Sequence, residues 1–297
     1  MNKDKTYILE DRGLLYISGE DAREFLQNLI TNDIDNVSET QSCFASLLSP
    51  QGKYLFDFIV IKHKQGYFFD CEKKQIDSLF RQLSLYKLRS KVDIVNLSNE
   101  FVVAILSYEK FLSLENSKDQ LGYTIKFRED PLILDPRCKS LGARLIINLE
   151  KLYLSIKKLG LKSSEVSEYY SLSHQLGIPQ LETEKLQNKI FGIECNFEEL
   201  NAIDFKKGCY VGQENTSRIK LKNKLSKRLL SINILKGNIK TEDEIFLNSE
   251  KIGKVLIDGN YPFGILKIKN DKFNFLEEYK CEKASIKLNK PNWIKIN

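Results

Sequence analysis

The feature that most constrains this chain is a switch in the period of its apolar residues. In "SGEDAREFLQNLITNDI", residues 18–34, Ala22, Phe25, Leu26, Leu29 and Ile30 fall at i, i+3, i+4, i+7 and i+8. That spacing predicts an amphipathic helix, with Ser18 ahead of Asp21 as its cap. The next segment, "CFASLLSPQGKYLFDFIVIKHKQGYFFDC", divides into three β-branched and aromatic runs at Ser49-Pro50-Gln51-Gly52 and at Gln65-Gly66. A meander of antiparallel strands is expected there. The helical stripe returns at Ile76, Leu79, Phe80 and Leu83, and "KVDIVNL" and "FVVAILS" return to strand character. Strands, helix and strands without regular βαβα alternation point to an α+β fold. No G-x-G-x-x-G follows any of these strands, so a Rossmann dinucleotide site is not expected.

Further on, "SSEVSEYYSLSHQLGIP" reads as a helix ended by Gly177 and Pro179. The last 75 residues change character: Leu230, Ile232 and Ile234 alternate with polar residues, and "KIGKVLIDG", "FGILKIKN" and "ASIKLNK" are short runs between turns. A small all-β domain, a barrel, is expected. At 297 residues, 42% hydrophobic and 29% charged, the chain has the balance of a soluble globular protein with two or three modest cores. It contains no run of 18 apolar residues, and "MNKDKTYILEDRG" lacks the pattern of a signal peptide or presequence. A cytoplasmic location with no membrane contact is the expectation.

The six cysteines, Cys43, Cys71, Cys138, Cys195, Cys209 and Cys281, are scattered singly, and there are two histidines, His63 and His174. No metal-ligand spacing exists, so no metal site is expected. Five cysteines lie in structural surroundings, while Cys209 stands among glycines, lysines and polar groups in "DFKKGCYVGQENTSRIK", residues 204–220. Two glycines within five residues mark a tight turn or a close backbone approach rather than a core strand. Between Lys206 and Arg228 eight basic residues face the single acid Glu214. Such a zone suits an anionic ligand, nucleic acid or a solvated face. Its charges are not interleaved with aromatics, which weakens direct RNA binding as a reading.

"FKKGCYVGQE" resembles the K-G-C-Y-x-G-Q-E signature of the YgfZ family, folate-binding relatives of the glycine cleavage system T-protein, an aminomethyltransferase. "GEDAREFLQNLITNDI", "LLSPQGKYLFDF" and "DPRCKSLGARLI" resemble further blocks of that family, and "LGIPQ" and "IECNF" sit where it places similar residues. The resemblance covers about the first 220 residues well and the remainder loosely. It implies a T-protein-like ring of two ferredoxin-like α+β lobes and a C-terminal small β-barrel. The corresponding division is residues 1–48 with 140–222 as a folate-binding lobe, 49–139 as a second lobe and 223–297 as the barrel. It also implies tetrahydrofolate or a one-carbon derivative as ligand, and a role as accessory factor in assembly or repair of iron–sulfur clusters. The implied partners are reduced folate, iron–sulfur client or assembly proteins including tRNA-modifying enzymes, and tRNA only indirectly.

The chemistry of such a ligand suggests roles for the motif. A pterin edge presents a donor pair that suits a carboxylate, and the benzoyl-glutamate end is anionic. Asp57, Glu194 and Glu214 are the candidate acids, Lys206, Lys207 and Arg218 the candidate cations, and Tyr210 a stacking face. Gly208, Gly212 and Gln213 complete the expected binding loop. The lysines and turn amides around Cys209 favour a reactive thiol, as nucleophile, redox sensor or single ligand. A tetrahydrofolate-dependent aminomethyltransferase is the alternative. Against it, the T-protein has two adjacent acids where "GKYLFDF" has Phe56 and then Asp57. A basic tRNA-binding protein is a third reading.

Overall fold

The computed structural model describes residues 1–222, 225–268 and 273–294. The chain divides into two compact units. The first comprises Met1–Leu48, Phe56–Tyr169 and Leu200–Val211; the second comprises Ser49–Leu55, Tyr170–Glu199 and Gly212–Asn297.

The first unit opens with β1 (Lys5–Leu9), β2 (Arg12–Ser18) and α1 (Ala22–Leu29). The predicted stripe is the buried face of α1, through Ala22, Phe25, Leu26 and Leu29. The cap differs from expectation. Ser18 is the last residue of β2, paired with Asp93, so its backbone is held in a sheet, and Asp21 stands at the N-cap position. The Asp21 carboxylate turns to the Lys91 amide, at 2.7 Å, instead of capping its own helix.

The meander forms as β3 (Cys43–Leu48), β4 (Tyr54–His63) and β5 (Gly66–Glu72), with α2 (Ile76–Lys87) and β6 (Asp93–Asn96) after it. These strands make a five-stranded sheet in the order β3-β4-β5-β2-β6. Ile76, Leu79 and Leu83 bury one side of α2. Gly13 of β2 makes room for it, since a Cβ there would lie 2.3 Å from Ile76. The chain continues through β7 (Phe101–Leu106), α3 (Tyr108–Leu112), β8 (Thr124–Phe127), β9 (Asp130–Leu134), β10 (Ala143–Asn148), α4 (Leu149–Lys158), β11 (Lys162–Ser163) and α5 (Val166–Gln175). A six-stranded sheet results, ordered β11-β1-β7-β10-β9-β8. Val102, Ala104, Leu106, Leu145 and Ile147 on its strands pack with Phe111 of α3 and Leu152 and Ile156 of α4. Each of these side chains larger than that of Ala104 stabilises by about 1.5–3 kcal/mol when removed from water.

A buried ionic chain joins the two sheets. Asp70 of β5 accepts from Arg12 Nε at 2.6 Å and from Arg144 Nη1 at 2.8 Å. Arg144 also donates to Asp135 at 2.9 Å and to the Tyr169 hydroxyl at 3.0 Å, and Asp135 takes two further side-chain bonds from Arg137. Burial alone would raise the Asp135 carboxyl, but Arg137 and Arg144 hold it well below the usual carboxylate range.

In the second unit, α6 (Gln213–Leu221) precedes β12 (Lys227–Lys236), β13 (Glu244–Leu247), β14 (Glu250–Ile257), β15 (Phe263–Lys267), β16 (Tyr279–Cys281) and β17 (Ala284–Leu288). The six strands close into a barrel, as the alternation predicts, in the order β12-β15-β14-β13-β16-β17. Leu230, Ile232, Ile245, Val255, Leu266 and Ile286 fill its interior. Ile234 departs from the inward pattern: the register of β12 against β17 shifts immediately after it, and its side chain is exposed. Lys269 and Asn270, the end of the run "FGILKIKN", lie outside the described residues.

Candidate functional site

An α-helix leaves its last carbonyls without helical partners and carries partial negative charge at that end. The C-terminal end of α1 is completed by the segment that carries the signature. Lys207 Nζ donates to Gln27 O at 2.8 Å, Ile30 O at 2.7 Å and Asn32 O at 2.9 Å. The Val211 amide donates to Asn28 O at 3.2 Å, and the Asp204 amide to Thr31 O at 3.1 Å. In return Thr31 Oγ1 donates to Ala202 O at 2.6 Å and Asn32 Nδ2 to Asn201 O at 2.8 Å. These bonds tie residues 201–211 to residues 27–32 at both ends and in the middle.

Lys207 is therefore not a cation offered to a ligand. An ammonium has three donors, and all three are directed to main-chain carbonyls of the first unit. Its side chain is buried, and burial lowers its ordinary value to about 8. Tyr210 is also buried, with the Lys207 ammonium 5.1 Å from its ring centroid. One face expected to stack a ligand is thus covered by the protein's own cation.

The residues between these anchors are open. Lys206, Gly208 and Cys209 are exposed. Cys43, Cys71, Cys195 and Cys281 are buried and Cys138 half-buried. Burial pushes the Cys43 and Cys281 thiols up to about 12. Cys209 is thus the most solvent-exposed of the six cysteines, on a loop whose flanks are pinned. Nothing lies within 4 Å of a Cβ built on Gly208, so the absence of a side chain there is not demanded by contacts within the chain.

The rest of the signature lies in the second unit. Gly212, at φ 83, is the N-cap of α6, a left-handed conformation that costs a Cβ-bearing residue. Its carbonyl lies against the turn Ser49–Lys53: a Cβ on Gly52 would stand 3.1 Å from it. Asn215 Nδ2 donates to Gln51 O at 2.9 Å, and the Gly192 amide to Gly52 O at 3.2 Å. Two of the sequence blocks, "LLSPQGKYLFDF" and the signature, thus meet around this turn. Glu214 and Arg218, four apart on α6, are both exposed and share one helix face. Among the described residues neither has an ion-pair partner. Gln213 is half-buried beside them. Glu194 accepts from the Phe191 amide at 2.8 Å and so closes its own turn. In the first unit, Phe56 is buried in β4 and Asp57 half-buried beside it.

The basic zone is less free than its count suggests. Arg228 is buried and paired with Glu199, and Lys220 is paired with Glu198. Both acids lie before the signature in sequence, outside the basic stretch 206–228. Lys224 lies outside the described residues. Lys206, Arg218, Lys222 and Lys227 remain as exposed cations of this zone, without an ion pair among the described residues. Among the described residues no group of three His, Cys, Asp or Glu side chains is placed to hold a metal ion. No helix of the described residues is long and apolar enough to cross a membrane.

The fold is that of the T-protein class. The crystal structure of a glycine cleavage system aminomethyltransferase T from Bartonella henselae superposes with a TM-score of 0.74, covering 99% of this chain and 87% of that one at 14% identity. No family model matches the chain. Its sequence relatives are iron–sulfur cluster assembly factors of the IBA57 type, themselves related to the YgfZ family. The Dictyostelium discoideum IBA57 homologue is 29% identical over 251 residues, 75% of this chain and 61% of that protein. The Neurospora crassa homologue is 30% identical over 236 residues, 75% of this chain and 52% of that protein. The Homo sapiens factor is 27% identical over 241 residues, 76% of this chain. The matched part thus spans between about half and two thirds of these relatives' length.

Proposed function

We propose that this protein supports the assembly or repair of iron–sulfur clusters in client proteins, with the Cys209 thiol as its reactive group and a reduced folate as its ligand. The observation that carries the reading is the exposed Cys209 on a segment pinned to α1 by Lys207 and Val211. The relatives' description as assembly factors supports the role. One thiol is too few ligands for a cluster. The remaining ligands therefore come from a partner protein or a small thiol, with the cluster as cargo. The clients include tRNA-modifying enzymes that carry clusters. Relatives are described as mitochondrial, and action in the cytoplasm is part of this proposal.

The T-protein fold and the Glu214–Arg218 face support the folate assignment. A carboxylate suits the pterin donor pair and a guanidinium suits the glutamate tail. Isothermal titration with tetrahydrofolate tests it, and the charge reversal Arg218→Glu should weaken polyglutamylated folate more than the monoglutamate. Equal losses for both ligands overturn the placement of Arg218.

The thiol is tested by a pair of variants. Cys209→Ser should keep the fold and folate binding while failing to restore a cluster-dependent tRNA-modifying enzyme in cells lacking the endogenous protein. Cys43→Ser, which buries a hydroxyl in β3, should lose about 1–3 kcal/mol of stability and keep activity per folded molecule. Full complementation by Cys209→Ser would remove the thiol from the mechanism and leave the reading to rest on folate binding alone.

A further inference from the structure

The outward arc of α2 carries side chains that its own fold does not use. With Ile76, Leu79 and Leu83 buried, the helical step places Arg81 and Leu85 on the opposite side, with Asp77 and Ser84 flanking them. Leu85 is 71% exposed, and Leu88, which closes the helix, is 88% exposed. Leu88 has φ 43 and ψ −110, a conformation that glycine adopts freely and a residue with a Cβ adopts under strain. Helix ends commonly place glycine at such a point. Here the chain holds a leucine in strained backbone and turns its side chain to water. Around it the segment 73–89 carries Lys73, Lys74, Arg81 and Arg89 against Asp77, and Lys87, which is paired with Asp93 at 4.0 Å.

We propose that this arc docks an acidic amphipathic helix of a partner protein, with Leu85 and Leu88 as the apolar anchors and Arg81 and Arg89 meeting its carboxylates. The charge of the arc selects the sign of the partner; arginine is enriched among the residues that dominate interface energetics, and the two exposed leucines beside it supply apolar area to bury. Asp77, on the same arc, repels a continuous anionic bilayer more than a helix, whose discrete carboxylates can be set beside Arg81 and Arg89 and away from it. The inference concerns a surface remote in sequence from the signature and does not depend on the cluster or folate assignments.

The test uses three probes on the full chain: a labelled synthetic helix with leucines along one side flanked by glutamates, its twin with lysines for glutamates, and phosphatidylcholine vesicles containing phosphatidylserine. The acidic helix should bind, and added salt should weaken it. Leu88→Gly and Leu85→Ser should each weaken it about tenfold or more. Leu88→Gly should unfold at a temperature no lower than the parent, since glycine relieves the strained backbone. Failure of the acidic helix to bind, equal binding of the lysine twin, or unchanged binding by both variants overturns the proposal. So does capture by the vesicles that both variants abolish, which would assign the arc to a membrane. A lower melting temperature for Leu88→Gly with binding retained gives Leu88 a folding role instead.

Discussion

The ammonium of Lys207 sits 2.7 Å from the carbonyl oxygen of Ile30, at the point where α1 runs out of helical hydrogen-bond partners. One lysine thus joins the end of the first helix to a segment 177 residues further along the chain. Lys207→Met keeps most of the apolar stem and removes all three donors. It should cost about 2–4 kcal/mol, because buried carbonyls lose charge-assisted bonds. Chemical denaturation measures the loss. Amide exchange at Cys209–Val211 should accelerate more than in the barrel strands, and uniform acceleration would contradict a local staple.

The two glycines of the signature should respond differently. Gly208 has open space and no left-handed backbone, so Gly208→Ala should change stability by no more than about 0.5 kcal/mol. Gly212 is buried at φ 83, and Gly212→Ala should cost about 1–2 kcal/mol. Thermal unfolding of the pair decides, and equal effects would refute the distinction.

The buried chain of Arg12, Asp70, Arg144, Asp135 and Arg137 holds three guanidiniums and two carboxylates. Asp70→Asn takes charge from two arginines at once and should cost about 3–5 kcal/mol. Arg144→Met leaves Arg12 with Asp70 and Arg137 with Asp135, and should cost less. Urea midpoints in the reverse order would show that charge balance does not govern this core.

In the second unit, the Asp258 carboxyl is lowered from 3.8 to about 2, first by its bond from Lys185, with the Thr241 amide helping and burial opposing. A carboxyl depressed in the folded state contributes stability that is fully present above its unfolded value, about pH 4, and is lost as pH falls through about 2. The shift corresponds to about 2.4 kcal/mol, which partial exposure reduces to about 1–2 kcal/mol. Asp258→Asn should therefore destabilise by that amount at pH 7 and have little effect near pH 2. Equal effects at both pH values would remove the linkage.

What the sequence by itself determined is local and periodic. The stripe from Ala22 to Ile30, the strand runs about Pro50-Gln51-Gly52 and Gln65-Gly66, and the alternation in the last 75 residues each encode an element through which side must be buried. The exposure of Cys209 was legible too, because glycines and lysines cannot build a core around it. Only the tertiary structure decided what the charges do. Lys206 and Lys207 are adjacent and identical in sequence, yet one is exposed and the other is enclosed by carbonyls of Gln27, Ile30 and Asn32. Arg228 looked like part of a basic surface and is buried against Glu199. Asp70, Asp135 and Arg144 meet from distant strands. The physical reason is that apolar burial repeats with the period of the local backbone, whereas a charge is assigned its role by whichever partner folding brings to it, and that distance is not written along the chain.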